Sequence, residues 1–266
     1  MKEKHHHPGF TWDVLREEAL EVSRGEPALR NLLDAQVLNH PDFKHALAAL
    51  LAGSCIFAQE DIPLHRSILE VLEKDPTMVE YAVCDLVAVV EKDPASDTFL
   101  EVFLFFKGYH SLELYRISHN LWLQGRRYLA YYIQSRVSQL YGVDIHPAAR
   151  IGKGTFIDHA TGLVVGETAL IEDNVSILHG VTLGGTGKQS GKRHPTIGKN
   201  CLLGAHATVL GNIMVGEGSV IGAGSVVLHS VPAHSLAAGV PAVNKGHISI
   251  AEPSNSMDQI FDDYII

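Results

Sequence analysis

From about residue 143 onward the chain repeats every six residues, and no α-helix or isolated hairpin has that period. Aliphatic side chains stand at Ile145, Ile151, Ile157, Val165, Ile171, Ile177, Leu183, Ile197, Leu203, Val209, Val215, Ile221 and Val227. Four residues after most of them comes a small or slim residue, among them Ala149, Thr155, Ala169, Cys201, Ala207, Ser219 and Ser225. Gly follows the aliphatic directly at several steps, as at Gly152, Gly166, Gly198, Gly204 and Gly222. A hexapeptide beat of this kind reads as a parallel β-helix, one short strand and one turn per six residues. The aliphatic points inward and the small residue fits a tight corner.

Residues from about 11 to 140 follow a different rule, with apolar residues recurring at three and four positions. This spacing predicts about seven helices, over Asp13 to Ser23, Pro27 to Leu38, Phe43 to Ala58, Ile68 to Leu72, Met78 to Val90, Leu112 to Leu123 and Tyr128 to Leu140. Asp75-Pro76 and Asn39-His40-Pro41-Asp42 are start signals. Proline and charge interrupt the pattern at residues 91–97. The expected organisation is a helical region over 1–142, a β-helix over 143–246 and a flexible acidic tail over 247–266.

A net charge of −9 argues against a nucleic-acid surface. No run of about 18 apolar residues suggests a membrane span, and no basic start leads into an apolar run. The three cysteines, Cys55, Cys84 and Cys201, lack a metal or redox spacing, so reduced thiols in a cytoplasmic protein are expected.

Two irregularities break the beat. Two extra residues fall between Ile157 and Val165, around Asp158-His159, and a glycine-rich basic insertion separates Leu183 from Ile197. Solenoids commonly bind at such insertions, and this loop is expected to stay mobile until an anion or a neighbouring chain orders it. Asp144 precedes His159 by a little less than one 18-residue coil, so the carboxylate is expected to approach the imidazole and orient a general base. A surface His beside a turn Asp is the plain alternative. His159, His179, His194 and His206 are too scattered for a zinc site, and no metal is expected. Gly184-Gly185-Thr186-Gly187-Lys188 lacks the spacing of a P-loop. Arg193 beside His194 suits a carboxylate, which a guanidinium grips by both oxygens.

Val143-Asp144-Ile145-His146-Pro147-Ala148-Ala149, Asp158-His159-Ala160-Thr161-Gly162, Val165-Gly166-Glu167-Thr168, the run Val181 to Lys188 and Arg193-His194-Pro195 resemble the serine O-acetyltransferase family. Lys92-Asp93-Pro94-Ala95 and Gly239-Val240-Pro241-Ala242 extend the resemblance over roughly residues 25 to 245. It implies a left-handed β-helix behind the helical region, an α+β chain that moves acetyl from acetyl-CoA to L-serine for cysteine biosynthesis. By resemblance, His159 is the base and Asp144 its partner. Asp93, Asp158, Glu167, Arg193 and His194 bind serine, or L-cysteine as inhibitor. Gly185, Thr186, Gly204, Ala205, Gly222, Ala223 and Lys245 line the CoA cleft. The resemblance also implies homotrimers, paired into hexamers, and a tail ending in Ile266 that binds O-acetylserine sulfhydrylase. Two departures stand out: Val243 replaces the usual Arg, and His179 replaces an uncharged polar residue. A hexapeptide acyltransferase acting on a sugar hydroxyl, and a silent scaffold for the sulfhydrylase, are the competing readings.

Overall fold

The computed structural model describes residues 9–55, 62–187, 190–261 and 264–265. The helical region comprises α1 (Trp12–Gly25), α2 (Arg30–Leu33), α3 (Phe43–Cys55), α4 (Leu64–Lys74), α5 (Pro76–Lys92), α6 (Phe99–Phe105), α7 (Lys107–Leu123) and α8 (Arg127–Tyr141). A 3₁₀ turn at Pro27–Leu29 and a π-helical turn at Asp34–Leu38 flank α2, where a single helix is expected. α6 is an element the periodicity does not predict. Its sequence FLEVFLF is apolar nearly throughout, so no stripe marks it, yet Thr98 and Glu101 close a capping box at its start. α8 ends at Gly142, whose left-handed backbone (φ 66°) turns the chain into the first coil.

The strands follow as β1 (Asp144–Ile145), β2 (Arg150–Ile151), β3 (Phe156–Ile157), β4 (Val164–Val165), β5 (Leu170–Ile171), β6 (Ser176–Ile177), β7 (Thr182–Gly184), β8 (Thr196–Ile197), β9 (Leu202–Leu203), β10 (Thr208–Leu210), β11 (Met214–Val215), β12 (Val220–Ile221), β13 (Val226–Val227), β14 (Ser235–Gly239) and β15 (Ala242–His247). They stack into three sheets, β1-β4-β7-β10-β13, β2-β5-β8-β11 and β3-β6-β9-β12-β14-β15. Every pairing is parallel except β14 with β15. This is a left-handed parallel β-helix of triangular section. All thirteen aliphatics of the beat are buried inside it. The small corner residue Cys201 is also buried, its thiol donating to the Gly216 carbonyl at 3.1 Å. Burial pushes that thiol up to about 12.

Coil length is not uniform. Asp144 pairs with Val164, Val164 with Thr182, Thr182 with Thr208 and Thr208 with Val226, so successive coils take 20, 18, 26 and 18 residues. The antiparallel β14–β15 hairpin at the far end is not anticipated from the fading beat. The chain after it is only partly as expected. α9 (Pro253–Ser256) docks against the coils, with Pro253 and Ser254 buried and the Ser254 carbonyl accepting from the Ser176 hydroxyl at 2.8 Å. The start of the expected flexible tail is therefore packed. Ile266 lies outside the described residues.

Helices and coils share one continuous core. Arg116 of α7 fastens them. It is 4% exposed and donates to Asp85 of α5 and to the Ile151 and Gly152 carbonyls of the first coil. Asp85 in turn accepts the Thr155 N–H at 2.9 Å. Gly108 of α7 lies so close to the Ile157 carbonyl that a Cβ there would collide with it.

Candidate active site

The sequence-predicted residues gather at two edges of the first sheet. One edge is the corner from β3 to β4, residues 158–163. His159 and Ala160 both adopt left-handed backbone there, at φ 55° and 57°. Such conformations cost on the order of 1 kcal/mol or more each for non-glycine residues and cluster at functional positions. The turn lifts His159 clear of the solenoid, leaving its side chain 77% exposed. Its Nε2 stands 3.7 Å from the Asp158 carboxylate, and its ring centroid 6.0 Å from that of His179. The Thr161 hydroxyl accepts from the Lys107 ammonium.

Asp93 enters this corner from the helical side. It caps α5, and its carboxylate accepts the Ala95 N–H at 2.8 Å. The adjacent Lys92 is buried and donates to the Gly154 carbonyl at 3.1 Å, which ties the end of α5 to the first coil. Burial raises the Asp158 carboxyl above its ordinary value and the Asp93 charge adds to this, while His159 and His179 pull it down. Two carboxylates that repel one another beside an exposed imidazole give this corner a negative field.

The other edge is the corner from the first sheet to the second. His194 is nearly buried, at 8% exposure, and lies across Gly166, where a Cβ would collide with its ring. Its Nδ1 accepts the Thr168 N–H at 3.1 Å. The Thr168 hydroxyl is 2.9 Å from the same nitrogen and accepts the N–H groups of Arg193 and His194. Burial first, then the Arg193 charge, holds His194 below its ordinary value. With Nδ1 accepting, the ring proton sits on Nε2. The Arg193 guanidinium pairs with Glu167 at 2.5 Å, and this bond holds the Glu167 carboxyl low. Lys192 donates to the Thr168 carbonyl at 2.6 Å, so the C-terminal stem of the insertion is fastened to the coil, while residues 188 and 189 lie outside the described residues.

Asp144 belongs electrostatically to this second edge. Its carboxylate accepts from Gln134 of α8 at 2.6 Å and acts on the nearby His146. The register stacks it on Val164, and among the described residues no hydrogen bond joins it to His159 of the same chain. One chain thus carries an imidazole with two carboxylates at one edge, and Asp144 with an Arg–His pair at the other. Gly185 lies beside His194, and Gly204 is stacked so tightly under Ala223 that a Cβ would meet its backbone nitrogen at 2.6 Å. Thr168 and Gln134 are parts of the site to which sequence reasoning assigns no role. Thr168 sits inside the quoted motif, which is the signal that was available. A cavity of about 570 Å³ between α5, α7 and the second sheet is lined by none of the predicted site residues.

Two family models match the chain: "Serine acetyltransferase, N-terminal" over residues 11–114, and "Bacterial transferase hexapeptide (six repeats)" over residues 194–229. A serine acetyltransferase of Salmonella typhimurium is 48% identical over 254 residues, covering 95% of this chain and 93% of the relative. A serine acetyltransferase of Brucella abortus, solved in complex with coenzyme A, superposes with a TM-score of 0.87 at 48% identity, over 90% of this chain and 96% of that one. A serine acetyltransferase solved in complex with cysteine superposes with a TM-score of 0.91 at 45% identity, over 94% and 98% of the two chains.

Proposed function

The chain belongs to the serine acetyltransferase family, and on that premise we propose how its two edges carry out acetyl transfer from acetyl-CoA to the hydroxyl of L-serine, giving O-acetyl-L-serine for cysteine biosynthesis. His159 is the general base. A serine hydroxyl is barely ionised at neutral pH, so the base must stand within about 3 Å of it and take the proton as the oxygen attacks the thioester carbon. The thiol of CoA leaves and takes up a proton, and the acetyl group ends on the serine oxygen.

The separation of the edges supports a site shared between copies. Asp93 and Asp158 beside His159 receive the ammonium. Arg193 and His194 of a neighbouring copy receive the carboxylate, with Glu167 holding the guanidinium and Thr168 fixing the imidazole. Asp144 of that neighbour, rather than the one in the same chain, meets His159 and steadies its charged form. Gly185, Thr186, Gly204, Ala205, Gly222, Ala223 and Lys245 border the CoA path. L-cysteine, with a thiol in place of the hydroxyl, fits the same polar contacts and inhibits. A trimer satisfies this pairing, and the helical region, residues 1–142, pairs trimers into a hexamer. The tail ending at Ile266 is the segment offered to O-acetylserine sulfhydrylase. No described helix is long and apolar enough to cross a membrane, and a cytoplasmic location suits the substrates.

The observation that carries this reading is the exposed His159, raised on a left-handed turn beside the Asp93–Asp158 pair. Thiol release from acetyl-CoA should require L-serine, with no release from a sugar acceptor. His159→Ala should lower serine-dependent release at least a hundred-fold while leaving the thermal melt in place. Release supported equally by a sugar, or an active His159→Ala chain, would refute it.

A further inference from the structure

Beside His159 and Ala160, this corner holds an aligned row of left-handed positions that runs from coil to coil. Four are glycines, Gly142, Gly162, Gly180 and Gly224, at φ 66°, 84°, 70° and 67°; the fifth is His206, at φ 59°. Backbone hydrogen bonds align them, from Gly180 to the Thr161 carbonyl, His206 to the His179 carbonyl and Gly224 to the Ala205 carbonyl. Glycine fills such a position without strain, whereas a histidine is held there at a cost. The fold gains little in return. The His206 side chain is exposed and its ring makes no hydrogen bond among the described residues. The ring leans back over Gly180, leaving no room for a Cβ there, and meets the His179 ring edge to face at 4.8 Å. Strain kept at an exposed residue two coils from the candidate base points outward, to a ligand.

Building on the function proposed above, we infer that His206 is a binding residue for the pantetheine arm of the acyl donor and recognises the second of its two amides. The thioester must lie at His159 for the reaction to occur. The helical side of that corner is closed by α7, with Gly108 against the Ile157 carbonyl and Lys107 on Thr161. The arm therefore leaves along the coils, past His179 and then His206. Coils rise by about 4.8 Å. The first amide nitrogen of the arm lies about 4 Å from the sulfur, and the second roughly 5 Å beyond it, from standard bond lengths. The amides thus fall in step with the coils, the second at the level of His206. A neutral imidazole has one donor and one acceptor, the complement of an amide.

The test compares acetyl-CoA with S-acetyl-N-acetylcysteamine, a thioester that ends after the first amide. His206→Gly in the full chain should raise KM for acetyl-CoA about two- to ten-fold, the worth of one neutral hydrogen bond. It should leave KM for L-serine and for the short thioester unchanged, and its melting temperature should equal or exceed that of the parent. His206→Asn, which tolerates left-handed backbone and keeps a donor and an acceptor, should retain most of the affinity. An unchanged KM for acetyl-CoA, or an equal rise with both thioesters, would overturn the inference. His159→Ala run alongside separates the two failures: its inactivity beside a neutral His206→Gly removes only the pantetheine contact, and its activity removes the general-base reading itself.

Discussion

At Asp158, burial together with the Asp93 charge raises the carboxyl above its ordinary value, so the folded chain holds this proton more tightly than an unfolded one does. By linkage, the penalty for ionising Asp158 is absent below its ordinary value, 3.8, and complete above its raised folded value. Asp158→Asn should therefore melt no lower than the parent at pH 7.5, with any gain shrinking as the pH falls through the raised value. The same change should raise KM for L-serine about ten-fold or more, the loss of one charge-assisted bond to the ammonium. Thermal melts across pH beside serine kinetics check both halves, and a lower melting temperature at pH 7.5 with unaltered serine kinetics would contradict them. His159, Asp158, Arg193 and His194 are legible as residues because they break a strict beat. Their partners Thr168 and Gln134 are not, since a hydroxyl under a loop and an amide on a neighbouring helix have no spacing signature.

Among the elements, α7 does the joining. Arg116 is fully paired with Asp85 and two carbonyls of the first coil, while burial, with Asp85 adding to it, pushes the neighbouring Glu113 carboxyl well up. Removing the cation strips the buried Asp85 carboxyl and the Ile151 and Gly152 carbonyls of this donor, so Arg116→Met should cost on the order of 3–5 kcal/mol. The midpoint of a denaturant titration would record it, and a shift worth under 1 kcal/mol would count against the clamp. The strands are legible because each aliphatic must face inward. Their stacking is less so, since a coil of 20 residues instead of 18 moves Asp144 beneath Val164 rather than toward His159. The apolar α6 and the β14–β15 hairpin escape because neither shows a period: one is apolar at six of its seven positions, and the other turns back on itself at the last coil.

For the whole molecule, the division of the site predicts how damaged copies should behave together. A chain with His159→Ala and one with Arg193→Ala should each be inactive alone. Refolded together in equal amounts as trimers, about one site in four pairs an intact His159 with an intact neighbouring Arg193, on random mixing of cyclic assemblies. Acetylation of serine should return to roughly a quarter of the parent rate, and its complete absence would place the site within one chain.

A stack of parallel coils leaves bare peptide groups at its last turn, an invitation for another chain to continue the column. By folding β15 back against β14 in the opposite sense, the chain occupies those groups with its own backbone along the third sheet. Growth along the solenoid axis is thereby discouraged, while the flanks stay open for the shared site proposed above.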